Sequence, residues 1–369
     1  MDQISCNASD RLLVFAPHPD DESLACGGLI QRAHRAGASV NVVIVTNGDA
    51  NPWPQRVIEK RWRLGPDAAQ RWGAVRHAEA TAALQALGIS IDNARFLQWA
   101  DQGLTRRLMQ DGNASVAHLR QLIAAHRPTL VAMPSLLDSH PDHSALALML
   151  KAALRGEESP ARAMSYWLHG RNGRQNDVSH VALTQEEMAG KRAAALAHVS
   201  QTRFGTSRLL RFVSPTEGYI QPSAAAPRSL STWRWQMRAH GRLGVASARR
   251  LHIVAMTAQG VIHATTLELP DARKAALQFR RMDARTVQIE MPAVWPGALS
   301  VMAKLDTNHR INVYDEFGWT QCEREDKTPA VDRDHAGTDI PHDAPNGHLT
   351  AVPQDAMGLM ATSLRVTVR

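Results

Sequence analysis

Cysteine is scarce. Cys6, Cys26 and Cys322 lie far apart with no CxxC pair, which argues against a disulfide framework and against a cysteine-type zinc ribbon. Long apolar runs are also lacking: the longest, near 145–154, is broken by Lys151 and is too short to span a bilayer. The opening MDQISCNASD has no basic stretch leading into an apolar one, so no signal peptide is expected. No block of five or more like charges occurs. The excess of 42 Lys and Arg over 35 Asp and Glu, a formal +7, therefore reads as room for an anionic ligand rather than as a nucleic-acid surface. No GxGxxG follows the first apolar segment, so a dinucleotide site is not expected. No internal repeat is found. A soluble, cytoplasmic protein is expected, with neither a membrane nor a nucleic acid as partner. Its oligomeric state is left open.

What is present is a chain that can bury a core. Hydrophobic residues make up 44% and charged residues 21% of 369 residues, enough for about two domains. The first two-thirds alternate strand-like and helix-like segments. Strands are expected at 11–16, 39–46, 129–133 and 164–169. Helices are expected through 29–33 up to Gly37, at about 68–87, from a cap at Ser115 to before Pro128, at 145–154, and from the capping box TQEE (184–187) to about His198. This alternation predicts an α/β fold: a Rossmann-like, mostly parallel sheet with helices on both faces. The rhythm changes at a linker near 221–228. Short β-like runs follow at 250–256, 261–269, 286–291, 299–305 and 311–317, then a polar stretch at 323–348. The expected organisation is a domain over 1–222 and a smaller antiparallel β unit over 223–369.

Two segments carry chemistry, each directly after an expected buried strand: APHPDDESLACGG (16–28) and PSLLDSHPDH (134–143). Ligands of open α/β sheets bind beyond the carboxyl ends of the strands. His18 and Asp21 are three apart and meet at one point if the chain turns helical there. Asp20 then aims roughly 100° away, so one carboxylate holds a metal while its neighbour addresses a water. His140 and His143 repeat the spacing, with Asp142 between them. Two His and one carboxylate with an open position form a catalytic zinc arrangement, which polarises a carbonyl and brings a bound water's pKa toward about 7. Amide or ester hydrolysis also needs a base and an acid; Asp20 and His140 are the spare groups, with Asp142 placed to orient His140. Asp20, Asp21 and Glu22 alone would fit carboxylates at a helix start. It is the pairing of two such segments that points to a site.

The motifs HPDDE (18–22) and HPDH (140–143) resemble the PIG-L (LmbE-like) family of metal-dependent N-deacetylases, which act on N-acetylglucosaminyl conjugates. The likeness runs over about 10–220. It implies metal ligands at His18, Asp21 and His143, a general base at Asp20, and a His140/Asp142 pair assisting at the oxyanion and leaving group. It also implies a substrate role for Arg76, in R-x-x-E with Glu79, and for Asp101, and a late helix carrying Lys191 and Ser200-Gln201. Some members have a Tyr where this chain has Asp138. The implied activity is removal of an acetyl group from an N-acyl amino-sugar conjugate, giving acetate and a free amine. The implied metal is Zn²⁺, or another divalent ion such as Fe²⁺. Two other readings stay open: a non-haem Fe(II) oxygenase, whose facial triad is also two His and a carboxylate, and a non-catalytic carbohydrate-binding protein. The β unit is expected to cover the site's mouth or bind the aglycone. Trp233 and Trp235 are read as packing residues, with a carbohydrate-stacking strip as the alternative.

Overall fold

Alternate residues of the first strand serve two different cores. β1 (Arg11–Ala16) sends Leu12, Val14 and Ala16 into one apolar cluster and Leu13 and Phe15 into another, as a strand covered on both faces must. The computed structural model describes residues 4–155, 161–170, 178–203, 205–221, 232–238, 248–269, 277–283, 286–295, 298–307 and 318–322. The expected linker beyond 221, the strand at 311–317 and the polar stretch at 323–348 lie outside them.

The α/β part continues with α1 (Asp21–Arg35), β2 (Ser39–Thr46), α2 (Pro52–Glu59), α3 (Ala68–Ala86), β3 (Ala94–Trp99), α4 (Leu104–His126) and β4 (Leu130–Pro134). It closes with α5 (Pro141–Ala153), β5 (Arg162–Tyr166), β6 (Val178–Ala182), α6 (Gln185–Ala197), α7 (Val199–Thr202), α8 (Thr206–Leu210) and β7 (Thr216–Ile220). The sheet order is β3-β2-β1-β4-β5-β7-β6, with the first five strands parallel and β7 antiparallel to both of its neighbours, β5 and the edge strand β6. Helices α1, α3 and α6 cover one face and α4 and α5 the other. The α/β fold is the one expected from the alternation.

Local signals explain most boundaries. Thr184 and Glu187 form the capping box that opens α6. Gly27 and Gly28 let α1 approach α6: a Cβ on Gly28 would meet Leu183, and one on Gly27 would meet Lys191. The expected start of a helix at Ser115 is not observed. α4 begins eleven residues earlier, bends at Asp111, and buries Ser115 inside it. Its first N–H, on Leu104, is capped by Asp142 Oδ1 at 3.0 Å, so the capping signal comes from a distant part of the chain. α5 likewise starts at Pro141 rather than 145, with His140 as its N-cap.

The C-terminal residues form two antiparallel sheets. One is β10-β9-β13-β14, from β9 (Ala248–Met256), β10 (Ile262–Glu268), β13 (Ser300–Thr307) and β14 (Thr320–Gln321). The other is β11-β12-β8, from β8 (Thr232–Arg238), β11 (Gln278–Arg281) and β12 (Thr286–Pro292). Leu251, Ile253 and Ala255 of β9 face a core between the two sheets. That core encloses Trp233 and Trp235, 2% and 0% exposed, so these are packing residues and not a stacking strip. Val254 and Met256 face the other way and join the cluster of α4 and α5, together with Ile262, Met302 and Trp319. Asn113 of α4 clamps the edge strand: Ile262 N–H donates to its Oδ1 at 2.8 Å, and its Nδ2 donates to Ile262 O at 2.9 Å. The β unit and the α/β part thus share one apolar layer. Among the described residues, no helix is long and apolar enough to cross a membrane.

Candidate metal centre

Turns at the carboxyl ends of four parallel strands converge on one point. His18 follows β1, Asp101 follows β3, Asp138 and His140 follow β4, and His169 follows β5. The turn after β1 is unusual. Asp20 has φ +128°, a conformation that costs a non-glycine residue about 1–3 kcal/mol and is kept only where neighbours enforce it. They do: Asp20 N–H donates to Glu22 Oε2 at 3.0 Å, and Arg76 donates to Asp20 Oδ2 at 3.0 Å, to Gly48 O at 3.1 Å and to Pro19 O. The Asp20 carboxylate is thereby turned into the cleft instead of capping α1.

The expected ligand residues meet. Asp21 Oδ2 lies 3.1 Å from His18 Nδ1 and 3.2 Å from His143 Nε2. His18 Nε2 faces Asp101 Oδ1 at 3.2 Å and Asp142 Oδ2 at 3.5 Å. His143 Nδ1 faces Asp138 Oδ2 at 3.1 Å. His18, His140 and His143 each bring one ring nitrogen within 4.8 Å of the others; so do the sets Asp138–His143–His169 and His18–Asp101–Asp142. His18 Nε2, Asp142 Oδ2 and both ring nitrogens of His143 are buried without a hydrogen bond; the ion-pair contacts of His143 miss hydrogen-bond geometry. Buried polar atoms left unsatisfied are costly, and a cation among them would satisfy several at once. Imidazole and carboxylate donors suit Zn²⁺, and equally Fe²⁺.

Electrostatics follow from this packing. Burial opposes the charge on His143, yet Asp138 and Asp21 raise its pKa to about 10. Burial opposes His18 as well, and Asp101, Asp142 and Asp21 still hold it well above the usual imidazole value. Against burial, Asp21 is held far below the carboxylate range by His143 and His18, and Asp138 by His143 and His169. Asp20 goes the other way: burial raises its pKa, with Arg76 opposing. His140 is pushed well down by burial and then by His18, His143 and His169.

The cleft above the cluster measures about 440 Å³ and is lined by His18, Asp20, Asp21, Asp101, His140 and Asp142 among others, with Arg76, Gln201 and Arg208 at its walls. Every expected site residue except His143 lines it, and His143 is fully buried against Asp21. Two expected contacts differ in form. Asp142 meets His140 through its backbone N–H, which donates to His140 Nδ1 at 3.2 Å, while its carboxylate caps α4 and faces His18. Arg76 is 6% exposed; one of its amino groups bonds the turn that carries Asp20, through Pro19 O and Asp20 Oδ2, and the other bonds Gly48 O beyond β2. Asp101 accepts from Ala50 N–H at 2.8 Å. Glu79 does not pair with Arg76; it receives Ser200 N–H and Oγ at 2.7 and 2.6 Å. Lys191 is buried against Glu217 at 2.6 Å. No described residue after 208 lines the cleft, so the β unit is not seen to cover its mouth.

Two residues escaped sequence reasoning. Asp138 also accepts N–H bonds from His140 and Leu168 at 2.9 and 2.8 Å, and it pairs with His169 Nδ1 at 3.2 Å. A carboxylate that fixes a ligating imidazole is a recurring partner at metal sites. The available signals were an Asp two residues before HPDH and a His at the end of an expected strand.

Residues 13–154 match the family described as PIG-L: GlcNAc-PI de-N-acetylase. The chain is 35% identical over 172 residues to a 1D-myo-inositol 2-acetamido-2-deoxy-alpha-D-glucopyranoside deacetylase of Mycobacteroides abscessus, covering 42% of this chain and 59% of that one. It is 38% identical over 146 residues to the protein of the same name from Mycobacterium bovis, covering 36% of this chain and 47% of that one. The chain thus spans about half the length of these relatives. A conserved protein from Thermus thermophilus, of solved structure, shares 24% identity at a TM-score of 0.44, over 59% of this chain and 96% of that one.

Proposed function

We propose that the protein is a metal-dependent N-deacetylase acting on an N-acetylglucosaminyl or related amino-sugar conjugate, in the cytoplasm. The observation that carries the reading is Asp21 Oδ2 standing between His18 Nδ1 and His143 Nε2 at 3.1 and 3.2 Å, with Asp20 and His140 lining the same cleft. His18, Asp21 and His143 would hold the ion, Zn²⁺ in the first instance. When bound, such an ion polarises the amide carbonyl and acidifies water to a pKa of about 7.

The chain's own residues do the rest. Asp20 takes a proton from the attacking water as its oxygen bonds to the carbonyl carbon. Its raised pKa makes it a better base near neutrality than an ordinary carboxylate. His140 Nδ1 accepts the Asp142 N–H, so its proton is assigned to Nε2. It is neutral because burial and neighbouring positive charge disfavour its cation, and a bound cation acts in the same direction. A neutral imidazole N–H donates to the developing oxyanion but is not a strong acid. The proton held on Asp20 therefore passes to the nitrogen as the C–N bond breaks, giving acetate and the free amine. Asp101 at the cleft wall meets the sugar, while Arg76 acts through Asp20. An Fe(II) oxygenase would have no use for a strained carboxylate poised as a base.

The test is acetate release from a panel of N-acetylglucosamine conjugates carrying nucleotide, lipid, thiol-precursor and antibiotic aglycones. Release that requires a divalent metal supports the reading. Dioxygen consumption with Fe²⁺, or ligand binding unaffected by chelation with no acetate formed, would replace it.

A further inference from the structure

The C-terminal β unit supplies no described residue to the cleft, yet it touches the loop that builds the cleft from behind. β14 is held to β13 by the pairs Met302↔Gln321 and Ala303↔Thr320, and Cys322 N–H donates to Val301 O at 2.8 Å. Just before β14, Trp319 is 3% exposed in the α4/α5 cluster, and its N–H donates to Ser144 Oγ at 3.0 Å. That hydroxyl donates in turn to His140 O at 3.1 Å. Gly318 fits more closely still. A Cβ there would stand 2.6 Å from Asp138 O, 2.7 Å from Ser144 Oγ and 3.2 Å from Ser139 O. Only a residue without a side chain passes at this distance from backbone oxygen. The contacts fall at both ends of 138–144, the stretch bearing Asp138, His140 and His143.

We infer that Gly318 and Trp319 are positioning residues, through which the β unit backs the 138–144 loop and sets where His140 and His143 stand in the cleft. Displacing Asp138 O displaces the carboxylate on which His143, His169 and the His140 N–H all rest. The functional consequence rests on the proposed metal reading; the placement of the imidazoles does not. A comparison within the same interface separates positioning from plain stability. Gly260, in the turn between β9 and β10, has φ +76° and lies against Ala152 O and Arg155 at the far end of α5. Substitution there strains the same junction without touching the loop.

The experiment uses the full chain with Gly318→Ala, Gly260→Ala and Ser144→Ala, the last removing the acceptor of the Trp319 N–H without adding an atom. Zn²⁺ affinity is measured by chelator competition, and histidine ring signals by NMR in the metal-free protein. Gly318→Ala should weaken Zn²⁺ binding about 10- to 100-fold, the usual effect of disturbing groups that orient ligands, and shift the His143 and His169 ring signals. Ser144→Ala should do the same more mildly. Gly260→Ala should lower Tm with affinity and ring signals unchanged. If Gly318→Ala does not fold, Ser144→Ala decides alone. Unchanged ring signals in the folded variants, or equal shifts in Gly260→Ala, would overturn the inference. A wild-type protein that binds no Zn²⁺ would sink the metal reading, leaving the NMR comparison to judge the positioning.

Discussion

Asp138→Asn tests the carboxylate behind His143. The substitution keeps size and shape but leaves one oxygen where there were two. Oδ2 now faces His143 Nδ1 and the N–H groups of Leu168 and His169, and Oδ1 faces the His140 N–H and His169 Nδ1. Whichever way the amide turns, its NH₂ meets other donors, and at least one buried N–H loses its partner at about 1–3 kcal/mol. The negative charge opposite His143 is lost as well. The protein should fold with a lowered Tm. Zn²⁺ affinity should fall about 10- to 100-fold, or roughly 1.4–2.7 kcal/mol. Chelator competition measures the affinity, and differential scanning calorimetry the stability. A folded Asp138→Asn protein with wild-type Zn²⁺ affinity would refute the reasoning, because His143 would then need no partner behind it.

Zn²⁺ uptake should be pH-dependent: His143, charged up to about pH 10 in the metal-free protein, and His18, raised as well, must each lose a proton to coordinate, releasing about two protons at pH 7. Calorimetry in buffers of different ionisation enthalpy counts them, and a release near zero contradicts the assignment. Because these pKa values are raised on folding, the metal-free protein should be fully supported by them below the unfolded value of about 6.5 and lose that support as pH rises toward 10; a Tm series without metal checks the sign. Lys191→Met leaves Glu217 buried beside the N–H groups of Gly28 and Leu29 without its cation, and should cost about 3–5 kcal/mol in denaturant unfolding with Zn²⁺ affinity unchanged. A chain ending at Pro222 should aggregate, because it uncovers the α4/α5 face against which Val254, Met256, Ile262, Met302 and Trp319 pack, each worth about 1.5–3 kcal/mol of burial; a soluble monomer by light scattering would show the shared layer to be dispensable.

Much of this was legible because the signals were local. Strands at 11–16 and 39–46 show as short β-branched or apolar runs, and the box at 184–187 as a four-residue motif. The two His/Asp segments are legible because each follows a buried strand, and the sheet places those strand ends side by side. What was hidden depends on contacts distant in sequence. The start of α4 rests on Asp142, nearly forty residues away, so no local cap announces it. The resemblance gives Arg76 a substrate role, yet its side chain folds back onto the Asp20 turn. His169 is an ordinary residue in its own segment, and only the sheet order, with β5 beside β4, brings it to Asp138 and His143; Asp138 lies in the second motif's own segment, where nothing but its place before HPDH marks it. The shared layer between the β unit and α4 shows in no run of residues. The alternation of β9, with Val254 and Met256 on one face and Ile253 and Ala255 on the other, fits a strand between two cores but does not say which.

The most direct test is to pair acetate release with metal content in wild type and Asp20→Asn. The account predicts metal-dependent acetate release by the wild type from at least one N-acetylglucosamine conjugate. It predicts that Asp20→Asn keeps its full complement of Zn²⁺ while kcat falls by about 10²–10⁴. Loss of the metal from Asp20→Asn with retention in Asp21→Asn would show the two carboxylates exchanged. Full activity of Asp20→Asn, or acetate release indifferent to chelation, would contradict the account.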